Sequence, residues 1–293
     1  MENKDDEEKM EGFQGHNLIR KLDFIEKKNQ RNLQYVSDYA NEIIVYLKET
    51  EKINLPKPNG LEETQTLVNE SCRSLVIDWL VDVSMQYKLN DDSLFLAVNI
   101  LDRYIGERKI QTKDFQLVGC GALLIASKYE EIYPPEIRDF CYIMDNAFDE
   151  FDLKKMEYEI LKTLNYDVLC VSPLIFLKKF HNISQGNFKS LLFAQFILEI
   201  SLLEIKALNY IPSILASASL YISRKLVQNE EELWPEELEF YTGYSVDDME
   251  DCIILLYKIL TCVPNVSLAS SKKKYSGNKY LGVSKECCIN KKL

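Results

Sequence analysis

Two stretches of the chain, 97 residues apart, share one unusual order of residues. Residues 118–128 read VGCGALLIASK and residues 215–225 read LASASLYISRK, so small residues come first, large apolar residues follow, and each stretch ends in a basic residue. Glycine inside a helix costs about 1 kcal/mol relative to alanine, so Gly119 and Gly121 need a compensating gain. Close approach of neighbouring helices would supply it. The pattern therefore predicts two similar units, each built around a central helix.

The rest of the sequence also favours helices. Glycine (10) and proline (8) are few in 293 residues, and apolar residues recur at intervals of three and four. A second, weaker internal similarity relates Met156-Glu157 to Met249-Glu250, at an offset of 93 residues. We predict an all-α protein of two tandem five-helix units with an N-terminal helix. The expected divisions are a flexible charged tail at 1–32, the first unit with its preceding helix at 33–168, the second unit at 169–266 and a C-terminal tail at 267–293.

Local signals give approximate helix positions. Ser37 can cap a helix that runs to Thr50, and residues 55–60 are typical of a loop. Thr112 can begin the central helix of the first unit, and another helix follows Asp149. The helices expected in the second unit are 172–182, 187–206, 210–227, 233–241 and 245–262. The C-terminal tail offers four apolar residues for docking on a domain, namely Tyr275, Tyr280, Leu281 and Val283.

Composition argues against several classes of function. The net charge of -11 disfavours nucleic acid or a membrane surface as partner, because both attract basic faces. The only histidines are His16 and His181, which excludes a multi-histidine metal site and leaves little for histidine catalysis. The eight cysteines form no C-x-x-C motif, so we expect buried thiols in a reducing compartment. We expect no cofactor, no metal, no signal peptide and no membrane span, since the apolar stretch 191–203 is too short.

Three charged residues of the first unit, Lys128, Glu157 and Arg73, break the apolar pattern. Lys128 continues the apolar line of the central helix, and Glu157 interrupts the apolar stripe of a later helix. Each of these two, taken alone, is compatible with a lysine at a helix end or a glutamate at the edge of a core. Arg73 and Asp102 lie on two different predicted helices, and we interpret them as a structural salt bridge.

The sequence segments around these charged residues resemble the cyclin box. The matching segments are 72–83 (CRSLVIDWLVDV), 100–104 (ILDRY), 117–119 (LVG) and 126–136 (ASKYEEIYPPE) in the first unit, with 210–213 (YIPS), 234–235 (WP), 241–244 (YTGY) and 279–284 (KYLGVS) further on. The five signature positions of the family are matched by Arg73, Asp102, Leu117, Lys128 and Glu157. The resemblance covers about residues 35 to 285 and is to the A/B-type mitotic cyclins.

This resemblance implies a regulatory role. The chain would be the activating subunit of a cyclin-dependent serine/threonine kinase in S/G2/M cell-cycle control, in nucleus and cytoplasm, and no enzyme itself. Lys128 and Glu157 would form a charged pair that bonds the kinase backbone. The residues implied in kinase binding are Ile43, Ile125, Lys128, Tyr129, Ile132, Glu157 and Tyr166.

The resemblance also implies a docking patch on the first helix of the box, which captures R-x-L motifs of substrates or inhibitors. The matching residues are Cys72, Leu75, Val76, Trp79 and Gln116, with Asp82 as the acidic partner of the motif's arginine. Here cysteine replaces the family's methionine, serine its alanine, and Leu-Val its Ile-Leu, so the shape of the groove is open. The alternative is that these residues only pack the helix, and exposure of Trp79 would favour docking. Residues 20–24 (RKLDF) fit R-x-L-x-F, but no R-x-x-L destruction box is evident.

Two other classes of function remain as alternatives. A cyclin-fold transcription or scaffold protein, such as transcription factor IIB, shares the two-box architecture but binds DNA through basic faces, which the charge of -11 disfavours. An independent enzyme would need a phosphate-binding loop, a nucleophile with a histidine, or a metal cluster, and the sequence offers none of these. The kinase partner, the cell-cycle stage, the mode of degradation and the choice between A and B type stay open.

Overall fold

The computed structural model describes residues 36–228, 232–262 and 269–288. Within these ranges the chain is helical and contains no strand, so the all-α prediction is confirmed. The α-helices are α1 Ala40–Thr50, α2 Gly60–Thr64, α3 Glu70–Gln86, α4 Asp91–Glu107, α5 Phe115–Glu130, α6 Ile137–Ile143, α7 Glu150–Thr163, α8 Pro173–Ser184, α9 Phe188–Ser201, α10 Pro212–Ser223, α11 Glu236–Thr242, α12 Val246–Cys262 and α13 Ser270–Tyr275. None of the described helices is long and apolar enough to cross a membrane.

Side chains at the helix starts explain several of these boundaries. Asn69 accepts a hydrogen bond from the backbone N–H of Cys72 and so caps α3. Asp149 accepts one from the N–H of Asp152, whose carboxylate reaches back to the N–H of Asp149, and this capping box begins α7. Proline cannot donate a backbone hydrogen bond and is suited to the first position of a helix, as at Pro173 in α8.

The first domain is built around α5, which packs against α3, α4 and α7. Its two glycines make this possible. A Cβ at Gly119 would lie 2.8 Å from Cγ1 of Val76, and one at Gly121 would lie 2.9 Å from Cδ1 of Ile160. A methyl group at either position would clash, so the side chain of Val76 or Ile160 would have to shift. The predicted close approach around a central helix is therefore present.

The second domain is built around α10, which packs against α8, α9 and α12. Its small residues Ala216, Ser217, Ala218 and Ser219 are all fully buried. After Ser223 the helix widens into a π-helical turn, Arg224–Gln228. The buried Arg224 guanidinium donates hydrogen bonds to the carbonyl oxygens of Leu233, Glu232 and Ser184. The basic end of this central helix is therefore bonded inside its own domain.

The N-terminal helix α1 packs on the second domain. Ile44 and Leu47 belong to the second domain's hydrophobic core. The Glu51 side chain, at the end of α1, is 2% exposed and accepts hydrogen bonds of 2.9 Å from both the backbone N–H and the hydroxyl of Ser213. Since Ser213 lies in the first turn of α10, this carboxylate also meets the positive end of a helix dipole. The second domain therefore fixes the position of α1.

Residues 269–288 form a C-terminal segment that touches both domains. The Lys274 ammonium lies 2.8 Å from Asp91 of the first domain and 2.5 Å from the fully buried Glu199 of the second. Tyr275 and Val283 are buried in the second domain's core. Of the four apolar residues expected to dock, Leu281 stays half exposed. The C-terminal segment is thus part of the folded body and joins its two halves.

Candidate functional site

A buried ion pair joins α3 to α4. The Arg73 Nε and Nη2 atoms lie 2.6 and 2.7 Å from the two carboxylate oxygens of Asp102, and both side chains are at most 3% exposed. The remaining Nη1 donates to the backbone carbonyl of Leu202 at the end of α9. All three contacts are internal, so this pair clamps helices and offers nothing to a partner.

A second ion pair lies at the surface of the same domain. Lys128, in the last turn of α5, places its Nζ 2.6 Å from the Glu157 carboxylate of α7. The lysine side chain is 48% exposed and the glutamate side chain 18%. Because α5 and α7 pack closely beneath them, the two charges are held together without being covered. The lysine can therefore donate further hydrogen bonds to another molecule, and the glutamate can accept further ones from it.

Large apolar side chains lie in the last turn of α5, just after it, and near the end of α7. Tyr129, Ile132 and Tyr166 are 52%, 88% and 62% exposed. Exposed apolar residues of this size in one region are typical of a protein-binding surface. We call Lys128, Glu157 and these three residues the paired-charge face.

The other two residues assigned to kinase contact are placed differently. Ile125 is 5% exposed and belongs to the first domain's core, so it offers little surface in the free chain, and its role in kinase contact stays a prediction. It lies one turn before Lys128 and Tyr129 on α5, where it supports the paired-charge face from beneath. Ile43 is half-buried on α1 and packs against the second domain's core.

Sequence reasoning missed three strongly exposed aromatic side chains. Tyr133 follows α5 and is 91% exposed, while Phe151 and Tyr158 of α7 are 73% and 53% exposed. Phe151 and Tyr158 are seven residues apart, so they lie on one side of α7. Aromatic residues at helical spacing among charged neighbours are a signal that the sequence already contained.

The predicted docking patch lies on α3. Leu75 is 61% exposed, whereas Cys72, Val76, Trp79 and Gln116 are half-buried. The exposed Leu75 and the partly covered residues beside it form a shallow apolar surface. Trp79 is neither fully exposed nor sealed, so it does not by itself separate docking from packing.

Asp82 is already in contact with the C-terminal segment. Its carboxylate accepts a 3.0 Å hydrogen bond from the Ser270 hydroxyl and lies 3.5 Å from the Lys273 ammonium. Asp78, one turn earlier, accepts from the backbone N–H and hydroxyl of Ser270. The acidic side of the patch is therefore shared with residues almost 190 positions away in sequence.

The groups able to do chemistry are few in the described residues. No cluster of three or more metal-ligating side chains occurs among them. The Nε2 atom of His181 lies 3.0 Å from the Asn187 carbonyl oxygen and 3.2 Å from the Ser190 hydroxyl, and burial lowers the pKa of its imidazole. His16 and the R-x-L-x-F match at 20–24 lie outside the described residues.

Fold and motifs together define a two-domain helical protein with a cyclin box in its first half. The family model for the cyclin N-terminal domain matches residues 42–169, and that for the cyclin C-terminal domain matches residues 171–288. The chain belongs to the cyclin family. The resemblance to A- and B-type cyclins is confirmed by the relatives that match it over most of its length.

The relatives are moderately similar in sequence. Cyclin-A1 of Homo sapiens is 37% identical over 250 residues, which cover 85% of this chain and 53% of the relative. Cyclin-A1-4 of Oryza sativa subsp. japonica is 34% identical over 88% of this chain and 74% of the relative. The G2/mitotic-specific cyclin-B of Dictyostelium discoideum is 33% identical over 86% of this chain and 57% of the relative. The chain spans about half the length of several curated relatives that it matches.

Solved structures agree with the fold. A viral cyclin from herpesvirus saimiri superposes with a TM-score of 0.67 at 21% identity, covering 74% of this chain and 96% of the other. The yeast RNA Pol II CTD kinase CTDK-1 complex contains a chain that matches with a TM-score of 0.59 at 15% identity, covering 76% of this chain and 83% of the other. At such low identity these matches support the fold alone.

Proposed function

We propose that this cyclin binds and activates a cyclin-dependent serine/threonine kinase in S/G2/M control, and that the kinase supplies all the chemistry. The paired-charge face is the observation that carries the proposal. Lys128 and Glu157 are held 2.6 Å apart, stay accessible, and are flanked by exposed aromatic and aliphatic residues. The names of the relatives, which include an A-type and a G2/mitotic-specific cyclin, support the same role.

The proposed mechanism is a shift of the kinase between conformations. A kinase is active only when the glutamate of its mobile C-helix reaches the ATP-positioning lysine. A rigid surface that binds the active position of that helix more tightly than the inactive one moves the population toward activity. The paired-charge face is suited to this role because α5, which carries part of it, is held in place by α3, α4 and α7. Exposed apolar residues would supply contact area, and the ion pair would fix register.

The test is kinase binding by Lys128→Ala and Glu157→Ala. Each variant leaves one charge without its partner in the complex, so we expect affinity for the cognate kinase to fall by about 2–5 kcal/mol, roughly 30-fold or more. Lys154→Ala, which breaks a different exposed pair on α7, is the matched control and should bind normally. Binding is measured by calorimetry after circular dichroism has established that the variants are folded. Unchanged affinity in both folded variants would contradict the proposal.

We further propose that the patch on α3 recruits R-x-L-containing substrates or inhibitors. The exposed side chain of Leu75 beside the half-buried Trp79 supports this. Because Asp82 already contacts Ser270 and Lys273, a motif's arginine must compete for it. Leu75→Ser should weaken binding of an R-x-L-x-F peptide while kinase affinity stays normal, as measured by fluorescence polarisation. Equal peptide binding by Leu75→Ser and the unmodified chain would contradict this role.

We propose nucleus and cytoplasm as the places where this cyclin acts, as its resemblance to A/B-type cyclins implies. Fluorescence microscopy of the tagged chain through the cell cycle is the measurement. Confinement to one other compartment would contradict the proposal.

A further inference from the structure

A groove of about 340 Å³ lies where the two domains and the C-terminal segment meet. It runs between the start of α3, the end of α9, the last turns of α12 and the start of α13. Its walls are largely apolar, and burial of apolar side chains there would be favourable. The apolar lining consists of Ile200, Leu203, Leu255 and Ile259.

Three lysines also line this groove. Lys206, Lys258 and Lys272 come from three different elements, and none of their ammonium groups forms an ion pair in the part of the chain that the structure describes. The one carboxylate in the lining, Glu204, accepts a hydrogen bond from the backbone N–H of Lys206. The groove therefore carries excess positive charge in a protein whose net charge is -11. Unpaired cations around an apolar floor favour a ligand that is acidic and apolar together.

The groove is large enough for the anchoring side chains of a peptide segment. Sites of roughly 300–1,000 Å³ are typical for compact ligands or a few anchoring side chains. An anionic membrane is a poor occupant, because the lysines line a concave surface and the rest of the protein is acidic. An amphipathic segment that places apolar side chains in a groove and acidic ones at its rim is a common mode of recognition.

We propose that this groove binds an acidic segment of a partner protein that carries leucine- or phenylalanine-like anchors. The site is separate from the paired-charge face. It borders the docking patch at Ser74, whose hydroxyl donates to the carbonyl of Leu203 and so forms part of the groove wall. A partner bound here contacts both domains at once. The inference does not depend on kinase activation, because it concerns binding to the cyclin alone.

The first test uses a fluorescein-labelled ten-residue peptide that alternates glutamate with leucine and phenylalanine. The unmodified chain should bind it with an affinity that falls as salt is added. The double variant Lys206→Glu with Lys258→Glu should weaken binding roughly tenfold or more, because two attractive rim charges become repulsive. Lys109→Glu with Lys113→Glu, the same pair of changes at two exposed lysines of the first domain, is the matched control and should bind as the unmodified chain does. Equal binding by the double variant and the control overturns the proposal.

The second test locates the peptide without changing a lysine. Cys262 is exposed, carries a free thiol and lines the groove. A version of the peptide with a mild thiol-reactive group at one end should label Cys262 first, as read by peptide mass mapping. Preferential labelling of Cys72 on the docking patch overturns the proposal. So does binding of anionic phosphatidylserine vesicles that is lost in the lysine double variant, or a change in that variant's sedimentation, because these would assign the groove to a membrane or to a second copy.

Discussion

The two ion pairs of the first domain have the same shortest distance and opposite surroundings. Arg73–Asp102 and Lys128–Glu157 both close to 2.6 Å, yet the first pair is at most 3% exposed and the second is 48% and 18% exposed. A buried pair, here called sealed, tolerates substitution poorly, because removing one partner leaves the other charge away from water and unpaired. An open pair contributes little to folding. Burial therefore decides how much an ion pair contributes to folding, and of these two only the open pair is accessible to another molecule.

The largest effect is expected from breaking the sealed pair. Asp102→Ala leaves the Arg73 guanidinium buried with only the Leu202 carbonyl as a described partner, so the free energy of unfolding should fall by about 3–5 kcal/mol. Urea denaturation followed by circular dichroism is the measurement. The double replacement Arg73→Met with Asp102→Leu removes both charges and should recover most of the loss. A double variant as unstable as the single one would show that the bonds themselves, rather than the stranded charge, carry the effect.

A second sealed contact, between the C-terminal segment and both domains, should give a smaller loss. Burial by itself lowers the pKa of Lys274, but the carboxylates of Glu199 and Asp91 outweigh it and raise that pKa above the usual value. We expect Lys274→Met to lower the free energy of unfolding by about 2–3 kcal/mol at pH 7, since the stranded Glu199 can take up a proton.

The pH dependence of this loss tests the assignment. A group whose pKa is raised in the folded state contributes fully below its unfolded pKa, about 10.4 for lysine, and loses its contribution as pH rises through the folded pKa. The difference in unfolding free energy between the unmodified chain and Lys274→Met should not shrink between pH 7 and about 10, and should shrink above that. A difference that already shrinks below pH 9 would contradict a raised pKa.

The open pair should matter far less for folding. Lys128→Ala and Glu157→Ala are each expected to change the free energy of unfolding by under about 1 kcal/mol, as measured by urea denaturation. For the same two variants, the loss expected in kinase affinity is larger than this loss of folding stability. A folding loss as large as that of Asp102→Ala would remove the distinction between the two pairs.

The smallest effect is expected at an open pair outside the paired-charge face. Lys154 and Glu150 are one helical turn apart on α7, 3.2 Å between charged atoms, and both side chains are well exposed. Lys154→Ala should lower the free energy of unfolding by about 0.3–0.5 kcal/mol, which differential scanning calorimetry can register as a small shift of Tm. A loss above about 1 kcal/mol would mean that the exposure of an ion pair does not determine its contribution to the free energy of unfolding.

Most helices could be predicted because their signals are local. Asp149 caps α7 and Pro173 opens α8, both within one residue of the expected start. α5 begins at Phe115 rather than at Thr112, because the residues between form a turn of 3₁₀-helix. The short helix α2 was not predicted. Five residues cannot show a periodic stripe, and its position depends on the approach of Gly60 to Gly106, 46 residues away, where an added Cβ would lie 3.1 Å from backbone.

The candidate sites were only partly visible in the sequence. Lys128 and Glu157 stood out because charges interrupt apolar stripes, but their contact across 29 residues depends on how α5 and α7 cross. The meeting of Asp82 with Ser270 and the convergence of the groove lysines depend on tertiary packing between distant segments. Exposure could not be inferred from the sequence either, so the burial of Ile125 was not predicted.

The contact of Lys274 with Asp91 and Glu199 has a consequence for synthesis on the ribosome. Domains fold as units, with N-terminal ones first, so the first domain can assemble its paired-charge face while later residues are still being added. Its alignment with the second domain is completed only when residues 269–288 emerge, because Lys274 links the two. α1 must wait as well, since its anchor Ser213 belongs to the second domain. A nascent chain would therefore display the paired-charge face before α1 is anchored.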